Sequence, residues 1–479
     1  MKQLIHSSGP TIVAAFNNVA YAIMSEAAQS EKDHDISTRI MELLPDAVCP
    51  ANSSTEESSK SQNKDDKGLS AAMIEQKEMN TIQAVTSRWV EEGRKLLFAV
   101  SRYDKSLAIY SISGDEIGIK ASNQKSQGPE EGVLKFNPTI IHRTNKRSCS
   151  LAFASIPSED KNKKPVIVIV AGDLNGDATA YSVETGEENG IEKDKRLWRR
   201  VLLGHTASVL TSIEIVTNSK GSKILTSDRD EKVRVSSFPQ TFNVEGYLLG
   251  HSSYVSDVKI VRNNLMASKC ITCGGDGTMR IFDYDNCEQV VVVHVPVQNH
   301  GKTNDMGDKT LPSPVRLAIN NKGTIVAVMY DSSNIIQLFA IVINSDGTTS
   351  LDLLQDIECQ NCPLGIIFGL DDSIYILTTE PKLVRLSSDE DRGYILVEDQ
   401  ISIMVNEVVQ SQRTKMPTSL LEKDKNSGKL KLIKKVNEGK DGFTKNEPWL
   451  KRERVEIYKA GVQRRKQRKF EKKREVSDN

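Results

Sequence analysis

Stretches of different hydrophobic pattern follow one another along the 479 residues. Residues 11–24, TIVAAFNNVAYAIM, read as strand, Asn-Asn turn and strand. From there to about residue 78 the apolar period is lost. ANSSTEESSKSQNKDDKG at 51–68 is Ser-, Lys- and acid-rich and reads as a disordered insertion. From Trp89 to about Val405 short β-branched runs alternate with Gly, Asp, Asn and Ser turns. VIVIVAG, ATAYSV, KILTS, VRVSS, SDVKIV and SIYILTT are examples. Strands at this density without helical periodicity predict an all-β sandwich, barrel or propeller.

An internal repeat separates these. Gly204-His205 opens LLGHTASVLTSIEIV after two leucines, and Gly250-His251 opens LLGHSSYVSDVKIV in the same way, 46 residues later. Asp230 lies 25 residues after His205, and Asp276 lies 25 residues after His251. Gly-His, strand, strand, Asp-turn, strand is the WD40 blade signature at its usual period. Asp104, Asp177 and Asp331 mark the same turn in weaker blades. An Asp-turn joins two antiparallel strands by bonding to its own backbone. The His is expected to reach that Asp, so His205, Asp230, His251 and Asp276 are read as structural rather than catalytic. Six blades are expected near 79–113, 135–183, 201–238, 247–284, 290–343 and 352–388. The seventh is expected to share residues 5–24 with a C-terminal strand near 394–408, which leaves no free sheet edge. The organisation is thus first propeller strands in 1–24, a disordered insertion at 25–78, a seven-bladed propeller over 79–410 and a basic flexible tail at 411–479.

Charge sharpens the picture of the tail. Lys plus Arg and Asp plus Glu are both 64, yet residues 411–479 hold 22 basic and 10 acidic side chains, so the rest carries a net charge of −12. A basic tail on an acidic body suits phosphate contact or a nuclear-localisation signal, or serves only solvation. A nuclear location is expected. No stretch approaches the roughly 20 apolar residues of a membrane span, and a secretory signal is not expected. Seven cysteines, an odd number, fit a reducing compartment. Cys270 and Cys273 sit three apart in a strand and so face opposite sides, against a shared zinc ion. Cys273-Gly-Gly-Asp-Gly277 precedes a strand rather than a helix and reads as a β-turn, not a phosphate cradle. Pairs such as Asp285 with Glu288 read as solvated. With no nucleotide loop, nucleophile elbow or zinc motif, a binding protein without cofactor is expected.

Residues 201–258 carry a more specific signal. GHTASVLTSI, the run Asp228-Arg229-Asp230-Glu231-Lys232-Val233-Arg234, Phe238-Pro239-Gln240 and the second LLGHSSYVS resemble the WD-repeat, non-catalytic subunit of the eukaryotic tRNA (guanine-N7-)-methyltransferase, fungal type. Tyr103-Asp104-Lys105-Ser106-Leu107 adds to the likeness. The resemblance implies a scaffold in a heterodimer. Its partner would be a Rossmann-type, S-adenosylmethionine-dependent subunit that methylates N7 of the variable-loop guanosine (position 46), with tRNA contacted through the complex. It also implies that Arg234 meets the catalytic partner, supported by Lys232, Asp228, Arg229 and Asp230. Arg280 holds the equivalent strand position one repeat later and serves as the matched control. Ser236 and Phe282 stand where WD blades often carry Trp. A generic WD40 adaptor, such as a ubiquitin-ligase substrate receptor or a ribosome-assembly factor, is the alternative; a propeller enzyme lacks its constellation.

Overall fold

The computed structural model describes residues 3–25, 38–43, 81–116, 133–156, 165–183, 199–295, 312–397 and 402–410, apart from short gaps, together with 421–423 and 430–432. The proposed disorder of 51–68 and nearly all of the basic tail lie outside the described residues.

Residues 2–411 form one unit, and it is a seven-bladed β-propeller. The first blade holds Ile5–Ser8, Thr11–Phe16, Val19–Ser25 and Thr38–Leu43, with Val133–Phe136 added in parallel outside them. The second holds Ile82–Val90, Lys95–Arg102, Ser106–Ser113 and Ile140–Arg143. The third runs Ser148–Ile156, Val166–Asp173, Asp177–Ser182 and Arg199–Gly204. The fourth runs Leu210–Asn218, Gly221–Asp228, Lys232–Phe238 and Val244–Leu249. The fifth has Val255–Ile260, Lys269–Gly274, Thr278–Asp283 and Glu288–His294. The sixth has Pro314–Ile319, Ile325–Tyr330, Ile335–Ile343 and Thr349–Glu358, and the seventh Pro363–Phe368, Ile374–Thr378, Leu383–Asp389 and Gly393–Val397. The second blade begins where the sequence places it, and the third to seventh begin one strand later than expected. The Gly-His segment closes the outer strand of one blade before the chain enters the next.

Two expectations about the first blade fail. Thr38–Leu43, placed in the disordered insertion, pairs with Val19–Ser25 and completes the blade, with Met41, Glu42 and Leu43 buried. Short and half polar, and lying between the polar stretches at 25–37 and 51–68, this strand gave no periodic signal. Because it supplies the missing strand, no C-terminal strand is needed. Gly393–Val397 is instead the outer strand of the seventh blade, and the described residues between 402 and 410 are helical. That helical turn bridges the first and last blades. Val405 and Val409 are buried with Ile5, Phe16, Tyr21, Tyr375 and Leu383. Asn406 accepts from the Leu383 amide at 2.9 Å and donates to its carbonyl at 3.2 Å, as a neighbouring strand would. On the inner side, Ser7 Oγ donates to the Phe368 carbonyl at 2.9 Å.

The cores lie between adjacent sheets, because strand side chains alternate and each blade has an apolar neighbour on both faces. Cys270 belongs to the core between the fourth and fifth blades and Cys273 to that between the fifth and sixth. They face opposite sides, as their spacing implies, and burial pushes both thiols well above their usual range. Among the described residues, Asp285 departs from the solvated reading. Its carboxylate pairs with Lys220 at 2.8 Å and Lys223 at 2.7 Å, and Lys223 also holds Glu245 at 2.7 Å. The network ties the fourth blade to the fifth.

In the separate unit 412–479, Leu421–Lys423 pairs antiparallel with Leu430–Leu432.

Candidate partner-binding site on the fourth blade

The fifth blade shows the repeat chemistry in its simple form. His251 Nδ1 meets Asp276 at 3.0 Å, and its Nε2 meets Thr272 Oγ1 at 2.8 Å. Asp276 also accepts from Thr278 Oγ1 at 2.8 Å and the Ser252 amide at 3.1 Å. Burial pushes the Asp276 carboxyl up, but the His251 bond and charge, with Thr278 and Ser252, pull it well below the usual carboxylate range. Arg280 Nη2 approaches the same carboxylate at 3.6 Å, its Nε donates to Thr278 Oγ1 at 3.1 Å, and Nη1 donates to Gln289. One Asp thus answers both the His and the Arg.

The fourth blade divides these tasks differently. His205 Nε2 meets Thr226 Oγ1 at 2.8 Å, as in the repeat, but its Nδ1 meets Asp228 at 2.7 Å rather than the expected Asp230. Asp228 is fully buried. It also accepts from the Asp230 amide at 2.9 Å and lies 3.4 Å from Lys232 Nζ. Asp228 occupies the position of Gly274, two residues nearer the strand, so it takes the histidine first. Asp230 is half-buried, and its carboxylate has no partner among the described residues. Glu231 closes the turn at φ 74°, the left-handed region filled by Gly277 at φ 75° in the next blade.

Arg234 lies mid-strand, cross-strand from Thr226 and Tyr247. Its Nε donates to Ser236 Oγ at 2.9 Å, Nη2 to the Thr241 carbonyl at 2.9 Å, and Nη1 lies 3.4 Å from the Gly204 carbonyl. These neutral acceptors hold the fork in place. No carboxylate among the described residues pairs with it, whereas Arg280 has Asp276. The small Ser236, found where Trp is usual, is what admits the guanidinium.

Beside Arg234 the outer strand exposes apolar side chains that sequence reasoning missed. Tyr247 is 42% exposed, Leu249, cross-strand from Lys232, is 63% exposed, and Phe242 in the preceding turn is 79% exposed. The signal was present in FNVEGYLLG, where large apolar residues interrupt an edge strand. An anchored, uncompensated arginine beside exposed aromatic and aliphatic groups is the composition of an interface centre. The axial channel, about 560 Å³, is different in kind. Its Lys259 is answered by Glu214 at 2.5 Å, and its Arg316 by Asp257 at 3.5 Å.

Seven blades, with a Gly-His paired to an Asp-turn in the fourth and fifth, define a WD40 β-propeller. The solved structures it resembles include the mitotic checkpoint complex (11% identity, TM-score 0.48, covering 83% of this chain and 90% of that one). The WD40 propeller domain of Doa1 is another, at 12% identity and TM-score 0.46, covering 80% and 91%. Residues 166–392 match the family model described as the tRNA methyltransferase TRM82 WD40 domain. Three similar proteins are each named a tRNA (guanine-N(7)-)-methyltransferase non-catalytic subunit. That of Aedes aegypti is 30% identical over 203 residues, 42% of this chain and 41% of its own length. That of Meyerozyma guilliermondii is 25% identical over 317 residues, 63% and 64%. The Homo sapiens protein is 27% identical over 202 residues, 42% of each. The chain is similar to these non-catalytic subunits, and the resemblance seen at residues 201–258 is borne out. The matches span about half the length of those relatives.

Proposed function

We propose that this chain is the non-catalytic scaffold subunit of a tRNA (guanine-N7)-methylating heterodimer, which binds and stabilises a Rossmann-type, S-adenosylmethionine-dependent catalytic chain. The observation that carries the reading is Arg234: a half-buried guanidinium held by three oxygen acceptors, with no carboxylate partner among the described residues, beside exposed Tyr247, Leu249 and Phe242. A partner carboxylate seated there would be fixed by a preformed fork. The names of the relatives support the same assignment. Cofactor binding and methyl transfer then belong to the partner, and tRNA is met by the assembled pair in the nucleus.

The test is to purify the tagged full-length chain and identify what accompanies it in equal amount. A methyltransferase at one-to-one stoichiometry, together with loss of N7-methylguanosine from tRNA when this chain is depleted, is the expected result. The chain alone should give no S-adenosylmethionine heat in calorimetry. A ubiquitin-ligase or ribosome-assembly partner in place of the methyltransferase would overturn the proposal in favour of a generic adaptor.

A further inference from the structure

A second surface lies on the rim between the second and third blades. The turn Tyr103–Ser106 joins two strands of the second blade, and residues 143–147 lead from its outer strand into the third blade. The two segments are pinned together. Thr144 donates to the Lys105 carbonyl through its amide at 2.9 Å and its hydroxyl at 3.0 Å. Arg143 Nη1 bonds Asp104 Oδ2 at 3.1 Å. The Arg147 guanidinium carbon lies 4.1 Å from the centre of the Tyr103 ring. From the outer strand of the third blade, Arg199 Nη1 donates to Asn145 Oδ1 at 3.1 Å.

These contacts gather Lys105, Arg143, Lys146, Arg147 and Arg199 around Tyr103, whose residue is 40% exposed. Arg147 is half-buried and the other four cations are exposed. Asp104 is the single carboxylate within these segments. The concentration is the more telling because residues 1–410 carry a net charge of −12. A merely solvated face of an acidic body has no reason to collect five cations on two pinned segments and the strand bonded to them. An acidic protein surface would satisfy the charges alone. The exposed tyrosine, braced by an arginine, adds what RNA recognition uses: a platform for an unpaired base beside cations for the phosphates.

We infer that this rim is an RNA-binding surface of the propeller itself, with phosphates met by Lys105, Arg143, Lys146, Arg147 and Arg199 and a base stacked on Tyr103. The choice of tRNA as the RNA rests on the proposed function; the surface does not. It places RNA contact on the folded body, in addition to any made by the basic tail.

The test uses the full-length chain and fluorescently labelled bulk tRNA, titrated from 50 to 200 mM salt. Each lost phosphate contact lowers the slope of log affinity against log salt by about 0.7–0.9. The triple variant Lys146→Ala, Arg147→Ala, Arg199→Ala should therefore reduce the slope by about two to three. Lys146→Gln alone, on an exposed side chain, should reduce it by nearly one with unchanged melting, so that the result does not depend on the fold of the triple variant. Tyr103→Ala should weaken binding about tenfold at unchanged slope, from the usual worth of one stacked base, and Tyr103→Phe should restore it. Unchanged slopes in both cationic variants would overturn the inference. So would unchanged RNA affinity combined with loss of a protein partner, which would make the rim a protein interface. A chain that purifies without a methyltransferase would sink the scaffold reading and leave these RNA outcomes as informative as before.

Discussion

Reversal of Arg234 to Glu separates interface chemistry from blade architecture, provided the cost to the blade is counted. The substitution removes bonds to Ser236 Oγ and the Thr241 carbonyl and turns a carboxylate toward the Thr241 and Gly204 carbonyls. Two lost bonds from a charged donor should cost the fold about 3–6 kcal/mol. The cost to partner binding is separate. Removing one member of a buried interfacial charge pair costs about 2–5 kcal/mol, which is about 30-fold to several thousand-fold in affinity. Arg234→Lys keeps the charge but cannot serve all three acceptors, so it shares much of the folding cost and little of the electrostatic one. Affinity for the proposed catalytic subunit should be measured by titration at a temperature where melting curves show every variant folded. Glu should bind at least 30-fold more weakly than wild type, and Lys within about tenfold. Equal losses for Glu and Lys, or wild-type binding by folded Arg234→Glu, would refute the reasoning. Arg280→Glu no longer serves as a neutral control. It would set a second carboxylate against Asp276, which supports His251.

Two other outcomes follow from the same structure. Asp276 has its carboxyl held well below the usual range, so its contribution is complete above an unfolded value near 4 and is lost as pH falls from there toward the lower folded value. Asp276→Asn should cost about 2 kcal/mol at pH 7 and flatten stability in acid, as read by urea unfolding between pH 2 and 7; an unflattened acid limb would show that other carboxylates govern it. Ending the chain at residue 410 should leave the melting curve of the propeller unchanged. Ending it at 397 removes buried Val405 and Val409 and the Asn406 pairing, at a cost of roughly 4–6 kcal/mol. Equal melting of the two truncations would mean that the ring closes without the helical turn.

The repeat was legible because it is chemistry at a fixed interval. Gly-His and Asp recur 46 residues apart, and the His bonds to Thr226 and Thr272 are superposable consequences. Register was less legible. A repeat counted from its Gly-His straddles two sheets, since sequence motifs mark turns and not sheet boundaries. Ring closure was misread because an alternating strand at 394–408 and a helical turn with Val405 and Val409 on one face place apolar residues almost equally well. Thr38–Leu43 is six residues in a polar region, too short for a periodic signal, and its partner strand alone reveals it. The exposed rim at Phe242, Tyr247 and Leu249 was overlooked for the opposite reason. Apolar residues in a strand are first credited to the core, and only the fold shows which of them find none.

The same limit explains the exchange of Asp228 for Asp230, and it explains why this blade differs from its neighbour. Spacing counts positions, but a histidine bonds whichever carboxylate lies within reach, and the turn of the fourth blade adds Asp228 and Glu231 where that of the fifth has glycines. Asp228, where the fifth blade has Gly274, captures His205 and Lys232. Among the described residues Asp230 is thereby left without a side-chain partner, and Arg234 without a carboxylate. In the fifth blade Asp276 serves His251 and Arg280 together, leaving neither charge open. The added acid in the Asp-Arg-Asp-Glu run therefore uncouples a guanidinium and a carboxylate that the plain repeat would neutralise against each other. Asp228→Gly should reverse this. His205 would turn to Asp230, as His251 does to Asp276, and Arg234 would gain an internal carboxylate. Burial of a well-formed His–Asp pair is kept, so the variant should fold, while partner affinity should fall about tenfold or more as Arg234 becomes compensated. A crystal structure of the variant with His205 on Asp230, set beside a partner titration, checks both halves. Undiminished affinity with that re-paired geometry would show that the free charge on Arg234 is not what the partner reads.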